Sequence, residues 1–209
     1  MSAWATILVA LAGLTAIVDW LAVWRSLPGV EVVAKPGVMA LLIGTVLSGS
    51  VDGVLLLAIG ALAFSLVGDL LLLPAIDRFV PGLASFLIAH AFYLVAFLVD
   101  GQQPGLLVVG VLLTTLLAVG VGQPIIRGAA AKHNWLRTPV LVYVMALSAM
   151  AATGVGTGSP LVMAGGLIFA ISDAILGWNR FVEPLRYGRL GTHVTYHLGQ
   201  GLIVVGLIT

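Results

Sequence analysis

The run VLLLAIGALAFSLVGDLLLL, residues 54–73, decides the fold. It holds one charge, Asp69, and its twenty residues match the length of apolar chain that crosses a bilayer as a helix, about 20 residues. A carboxylate inside such a run costs about 3 kcal/mol or more at the bilayer centre, so Asp69 is a candidate functional group by default. Similar apolar runs recur along the chain, at roughly 3–24, 33–48, 80–99, 105–122, 138–153, 160–178 and 191–208. The second and sixth are the shortest of the eight segments, each reading as 16 residues. Composition agrees with this: 61% of the 209 residues are hydrophobic and 8% charged, with a mean hydropathy of +1.19. Soluble domains carry about 25% charged residues, so this surface suits lipid and not water. The expected architecture is an all-α, polytopic bundle of about eight transmembrane helices forming one domain over residues 1–209.

The connections carry the expected turn residues, as in Leu27-Pro28-Gly29, Ser48-Gly49-Ser50, Gly101 to Pro104, and Gly154 to Pro160. The Gly154-x-Gly156-x-Gly158 run superficially resembles a nucleotide loop, but no Lys or acidic partner follows it, and it reads as a flexible outer turn. Loop charges set the orientation. Arg25 and Lys35 flank the first connection, Arg78 lies in the third, Arg127, Lys132 and Arg137 in the fifth, and Arg180, Arg186 and Arg189 in the seventh. These are all nine Lys and Arg residues, so the positive-inside rule puts the odd connections in the cytoplasm and both termini on the other side. A miscounted helix would have divided the positive charges between the two sides.

Several functions are excluded or disfavoured at this level. A net charge of +1 leaves no basic patch for nucleic acid, and the absence of cysteine removes thiolate metal sites, disulfides and a cysteine nucleophile. The first apolar stretch lacks the basic leader of a cleavable signal peptide and reads as a helix. Short loops and the lack of a sorting signal point to a bacterial inner membrane. The 26 glycines suit close helix approach in lipid and carry no functional information.

The informative residues are the polar ones inside spans: Asp19, Lys35, Asp69, His90, Asp173, His193 and His197, with Tyr93, Tyr143, Tyr196 and Gln200 beside them. Apart from the more central His90, their ionisable groups converge on the inner half of the bilayer. His193, His197 and Gln200 follow an i, i+4, i+7 spacing, with Tyr196 on the same face, and His90 and Tyr93 are neighbours on one helix. Asp19 reads as a helix-packing or end-of-helix residue. Lys35 and Asp77 read as interfacial groups, with Lys35 snorkelling to water. Asp69 and Asp173, embedded in Leu66-Val67-Gly68-Asp69-Leu70-Leu71 and Phe169-Ala170-Ile171-Ser172-Asp173-Ala174, resist any such reading.

These same residues carry a family resemblance. The runs Gly68-Asp69-Leu70-Leu71-Leu72, Gly82-Leu83-Ala84-Ser85-Phe86 through His90-Ala91-Phe92-Tyr93, and Phe169-Ala170-Ile171-Ser172-Asp173 with Asn179-Arg180-Phe181 resemble the YhhN-like lysoplasmalogenase family. Lys35-Pro36, Tyr143, Tyr196 and Gln200 extend the likeness, which runs in order from about residue 35 to 205 and is weakest in the first helix and around 101–135. The resemblance implies an eight-helix membrane hydrolase that cleaves the vinyl ether of lysoplasmalogens to a fatty aldehyde and a glycerophospho-base. It implies Asp69 and Asp173 as the catalytic pair, needs no cofactor, and makes a lysophospholipid the partner. His193 and His197 depart from the family pattern.

The chemistry is compatible with those residues. A vinyl ether is hydrolysed by protonation of its β-carbon, capture of the oxocarbenium ion by water, and collapse of the hemiacetal. Two carboxyl groups in different protonation states supply the acid and the stabilising charge, as in glycoside hydrolysis. The resemblance and spacing make Lys35, His90, Tyr93, Tyr143, Asn179, Arg180, Tyr196 and Gln200 the orienting or substrate-binding groups. Lys35, Arg180 or tyrosine hydroxyls would hold the ionised carboxylate, with Arg180 and Lys35 near the headgroup phosphate. Two alternatives compete. One is a zinc hydrolase using the His193-x-x-x-His197 helix with His90 as third ligand. The other is a proton-coupled transporter, for which the sequence offers no inverted repeat or paired discontinuous helices.

Overall fold

A computed structural model describes residues 1–209. Eight long helices run α1 (Ala3–Trp24), α2 (Pro28–Leu47), α3 (Gly53–Leu71), α4 (Phe79–Asp100), α5 (Pro104–Lys132), α6 (Arg137–Gly156), α7 (Pro160–Phe181) and α8 (Gly188–Ile208), with no strand between them. Local chemistry explains their starts. The Ser2 side chain accepts from the Ala5 amide at 3.0 Å and the Asp52 side chain from Leu55 at 2.9 Å, while Pro28, Pro104 and Pro160 occupy first-turn positions where no amide is needed.

Seven of the eight helices are long and apolar enough to cross a membrane, which makes this a multi-pass integral membrane protein. The eighth, α8, has the length at 21 residues, but its first turns carry Arg189, His193, Tyr196, His197 and Gln200. That polar face turns inward because α8 lies against α7, α1, α2 and α3. The lipid-facing exterior carries exposed Trp4, Leu56, Leu112, Leu116 and Met145, whereas the interior is lined by alanines and polar groups. Close approach is greatest between α7 and α8. A Cβ on Gly199 would lie 2.9 Å from the Phe169 amide nitrogen, and one on Gly165 would lie 2.8 Å from the Gly199 carbonyl. Only glycine lets these two backbones meet.

Three boundaries differ from the sequence expectation, with consequences for the site. Helix α2 begins at Pro28, not near 33, and continues through Pro36, so Lys35 lies two turns inside it and not at its end. Helix α5 does not stop near 122. It passes through a wider π turn at Ala118–Gly122 and continues to Lys132, so Arg127 and Lys132 sit on a helical extension instead of a loop. Pro124 has no N–H to return to Gly120, which suits the local change of register. Helix α6 includes Gly154 and Gly156, leaving Gly158 (φ 76°) as the turn residue of the glycine run. Both α2 and α6 are full 20-residue helices, not short ones.

The four connections α1–α2, α3–α4, α5–α6 and α7–α8 lie at one end of the up-and-down bundle. All the Lys and Arg residues lie in these connections or in the helix turns nearest them.

Candidate active site

At this charged end, α2, α3, α4, α7 and α8 line a cavity of about 400 Å³. Asp69 and Asp173 both face it, along with Lys35, Asn179, Arg180 and Tyr196. The last turn of α3 presents Asp69 there, and Gly68 before it leaves room for a ring from α4. A Cβ at Gly68 would lie 2.6 Å from the Phe86 ring. Phe86 in turn meets Tyr196 edge-on, ring centroids 5.8 Å apart, and Phe169 and His90 extend this aromatic floor. The cavity is therefore polar at the charged end and aromatic beneath.

Each aspartate has its own holders. Asp69, fully buried, meets the Lys35 ammonium at 3.2 Å and accepts the Tyr196 hydroxyl at 2.8 Å. Lys35 is itself only 7% exposed, so it does not snorkel. Asp173 accepts the Tyr143 hydroxyl at 2.5 Å and has the imidazole of buried His90 at 3.4 Å. Tyr93 and Gln200 stand one layer behind. The Tyr93 hydroxyl donates to Gln200 Oε1 at 2.5 Å, and Gln200 Nε2 donates to Ser65 at 3.0 Å, so neither touches a carboxylate. Arg180 does not hold an aspartate of the pair either. It pairs across the mouth with exposed Asp77 at 3.7 Å and lies over the Phe79 ring. Asn179 accepts the Leu185 amide at 2.8 Å, bracing the α7–α8 turn.

A second, narrow and apolar slot of about 50 Å³ adjoins the cavity on the α4–α7 side. It shares Asp173, Phe79 and Leu176 with the cavity and continues past Leu117, Val121 and Val144. The π turn of α5 forms part of its wall. Asp173 therefore stands where polar space gives way to apolar space.

Sequence reasoning missed one group of residues. Asp19, expected as a helix-packing or end-of-helix residue, links α1 to α8. It is fully buried, and His193 Nδ1 lies 2.6 Å from its Oδ2 across 174 residues of sequence. Glu31, also buried, takes both of its hydrogen bonds from Arg189, at 2.5 and 2.6 Å. Extending the His197–His193 face by one more turn reaches Arg189, so the i, i+4 spacing contained that signal. The identities of Asp19 and Glu31 as partners were invisible to it.

The three-histidine zinc site does not form. His90 lies against Tyr143, Phe169 and Asp173, while His193 and His197 turn to Asp19 and Trp20 on the other flank. No three His, Asp or Glu side chains are grouped as a metal would require.

Comparison with known proteins identifies relatives of the chain. The profile of the YhhN family matches residues 30–207. The chain is 37% identical over 150 residues to human lysoplasmalogenase TMEM86B, covering 71% of this chain and 62% of that protein. It is 37% identical to the pig lysoplasmalogenase TMEM86B (69% and 60% covered) and 31% identical to human lysoplasmalogenase TMEM86A (70% and 63%). The chain thus spans about three-fifths of the length of these curated relatives. No solved structure matches it.

Proposed function

This chain belongs to the YhhN family, and on that premise we propose that it is a membrane hydrolase that cleaves the vinyl ether of lysoplasmalogens. The products are a fatty aldehyde and a glycerophosphoethanolamine or glycerophosphocholine. The observation that carries the reading is the pair Asp69 and Asp173. The two carboxyl groups stand on different helices, are held by different tyrosines, and face one cavity that narrows into an apolar slot beside Asp173. A lysoplasmalogen has the same polarity profile, with a charged headgroup, a vinyl ether at the boundary and a hydrocarbon chain beyond it.

Roles follow from the surroundings. Asp173 has no cation against it, receives a tyrosine hydroxyl and sits at the polar–apolar boundary, so it is the proton donor to the alkenyl β-carbon. Asp69, paired with the Lys35 ammonium, is the charged member and faces the oxocarbenium ion as it forms. Tyr143 and His90 steady Asp173, and Tyr196 steadies Asp69. Tyr93 and Gln200 fix α4 to α8 behind them. Arg180, half exposed at the mouth, meets the headgroup phosphate, with Arg189 and Asn179 beside it. Short loops and positive charges gathered at one end favour a bacterial inner membrane, with the cavity opening to the cytoplasm.

The test is aldehyde release from a lysoplasmalogen by purified protein in detergent, run beside Asp69→Asn, Asp173→Asn and a chelator. We expect aldehyde from the native protein, none from either variant and no effect of chelator. Full activity in either folded variant refutes the assignment.

A further inference from the structure

Resting on that vinyl ether reading, the geometry assigns a third reacting group, His193, as the base that activates water. Asp173 accounts for the proton delivered to carbon, and Asp69 is engaged by Lys35 and Tyr196. The attacking water must still give up a proton, and besides the Asp173 carboxylate left by protonation of carbon the cavity offers one further acceptor, on His193.

His193 has the arrangement the step requires. It lines the same cavity as Asp69 and Asp173. Its Nδ1 lies 2.6 Å from Asp19 Oδ2; a carboxylate only accepts, so the ring proton belongs on Nδ1, which fixes the ring and leaves Nε2 as the lone-pair nitrogen. That Nε2 makes no hydrogen bond within the protein, since the nearest carboxylate, Glu31, is 3.8 Å away with both oxygens taken by Arg189. It is also absent from the polar atoms sealed off inside the protein, so it opens on the cavity.

The neighbouring histidine is arranged differently. Trp20 Nε1 donates to His197 Nδ1 at 3.1 Å, so that nitrogen is an acceptor and cannot serve Asp19, 3.8 Å away. His193 is therefore the sole hydrogen-bond donor to the Asp19 side chain, whose other oxygen has no partner. A fully buried carboxylate in a membrane bundle, held through one oxygen by one imidazole, is costly for a packing element. It is the usual way to fix an imidazole that moves protons. The other charged and titratable groups around the ring are Glu31 and Lys35 from α2, Asp69 from α3, and Arg189, Tyr196 and His197 from α8 itself.

The proton balance closes with this group. Asp173 gives its proton to the β-carbon and becomes a carboxylate, and the ether carbon becomes an oxocarbenium ion. Water bonds to that carbon while its proton passes to His193 Nε2. As the hemiacetal collapses, the imidazolium returns this proton to the departing glycerol oxygen, and the hemiacetal hydroxyl proton goes to Asp173. Both groups end as they began. Asp19 acts through His193 and is a positioning residue.

The test is turnover of a 1-alkenyl lysophosphatidylethanolamine in D2O, reading both aldehyde release and deuterium at the alkenyl β-carbon of recovered substrate. With His193→Gln, protonation at carbon persists but capture by water stalls. Aldehyde release should then fall about 10²–10⁴-fold at little-changed KM, while recovered substrate gains deuterium. Asp173→Asn should show neither signal. His193→Ala should regain aldehyde release on addition of free imidazole, which a misfolded protein would not do. Wild-type rate in His193→Gln overturns the assignment. So does joint loss of aldehyde and exchange in His193→Gln, with no imidazole rescue of His193→Ala. If the native protein gives neither aldehyde nor exchange, the vinyl ether reading falls and this one with it.

Discussion

Replacing Lys35 with methionine should be the most informative single change to the stability of this protein. The substitution keeps the length of the side chain and removes the ammonium 3.2 Å from Asp69 Oδ1, a group with no exposed surface. At that distance opposite charges attract by about 5 kcal/mol for an effective dielectric of about 20. Desolvation of both groups offsets much of that in the native protein, so the pair itself contributes little net stability. Breaking it from one side is different, because an uncompensated carboxylate then stays buried, at a cost of about 3–5 kcal/mol. Asp69→Asn leaves the nearly buried Lys35 ammonium without its counter-charge and should also destabilise. The double variant Lys35→Met/Asp69→Asn carries neither charge and should be more stable than Lys35→Met alone. The assay is reversible unfolding in mixed micelles followed by circular dichroism, analysed as a double-mutant cycle. A coupling energy of about 2–3 kcal/mol is expected. If the two single effects simply add, or Lys35→Met lies within about 0.5 kcal/mol of the native protein, Lys35 is a solvated interfacial residue and the ion-pair argument is wrong.

Other outcomes follow from the same geometry. Tyr143→Phe removes the 2.5 Å hydrogen bond that meets the charge left on Asp173 after proton delivery. Hydrogen bonds to charged groups contribute about 1.5–3 kcal/mol, so kcat for aldehyde release should fall about 10–100-fold with little change in KM. Arg180→Ala removes a half-exposed cation paired with a more exposed Asp77, so stability should hardly change, while KM for lysolipid rises and kcat is kept. A substrate lacking the phosphate should be insensitive to that change. Gly199→Val forces the α7 and α8 backbones apart at the 2.9 Å contact with Phe169 and should lower the unfolding free energy by about 1–3 kcal/mol or more in the same micelle assay.

Much of this protein was legible along the chain. The long apolar runs, the charges gathered at alternate connections and the carboxylates at Asp69 and Asp173 each report a cost that a residue carries with it into lipid. Such costs depend on composition and depth, which sequence contains directly. Helix ends were less legible. The segments expected at 33–48 and 105–122 begin late or end early, whereas the helices run on through Pro36 and Pro124, because neighbouring helices and a local π turn tolerate a missing amide. The eighth apolar run, 191–208, is legible as a helix, but its polar face is accounted for only once α1, α2, α3 and α7 are seen to cover it.

The tertiary structure alone decided who partners whom. From sequence, Lys35, Arg180 and the tyrosines were interchangeable holders of either aspartate. In the fold, Lys35 and Tyr196 meet Asp69, Tyr143 and His90 meet Asp173, and Arg180 is drawn to Asp77. His193 spaced four from His197 suggested a metal pair, and the bundle turned one toward Asp19 and the other toward Trp20. Spacing on one helix sets which side chains share a face. The direction that face points is set by the rotation of each helix against its neighbours, through contacts such as Gly165 on Gly199 and Gly68 beneath Phe86. Those contacts join residues far apart in the chain, so no local pattern encodes them.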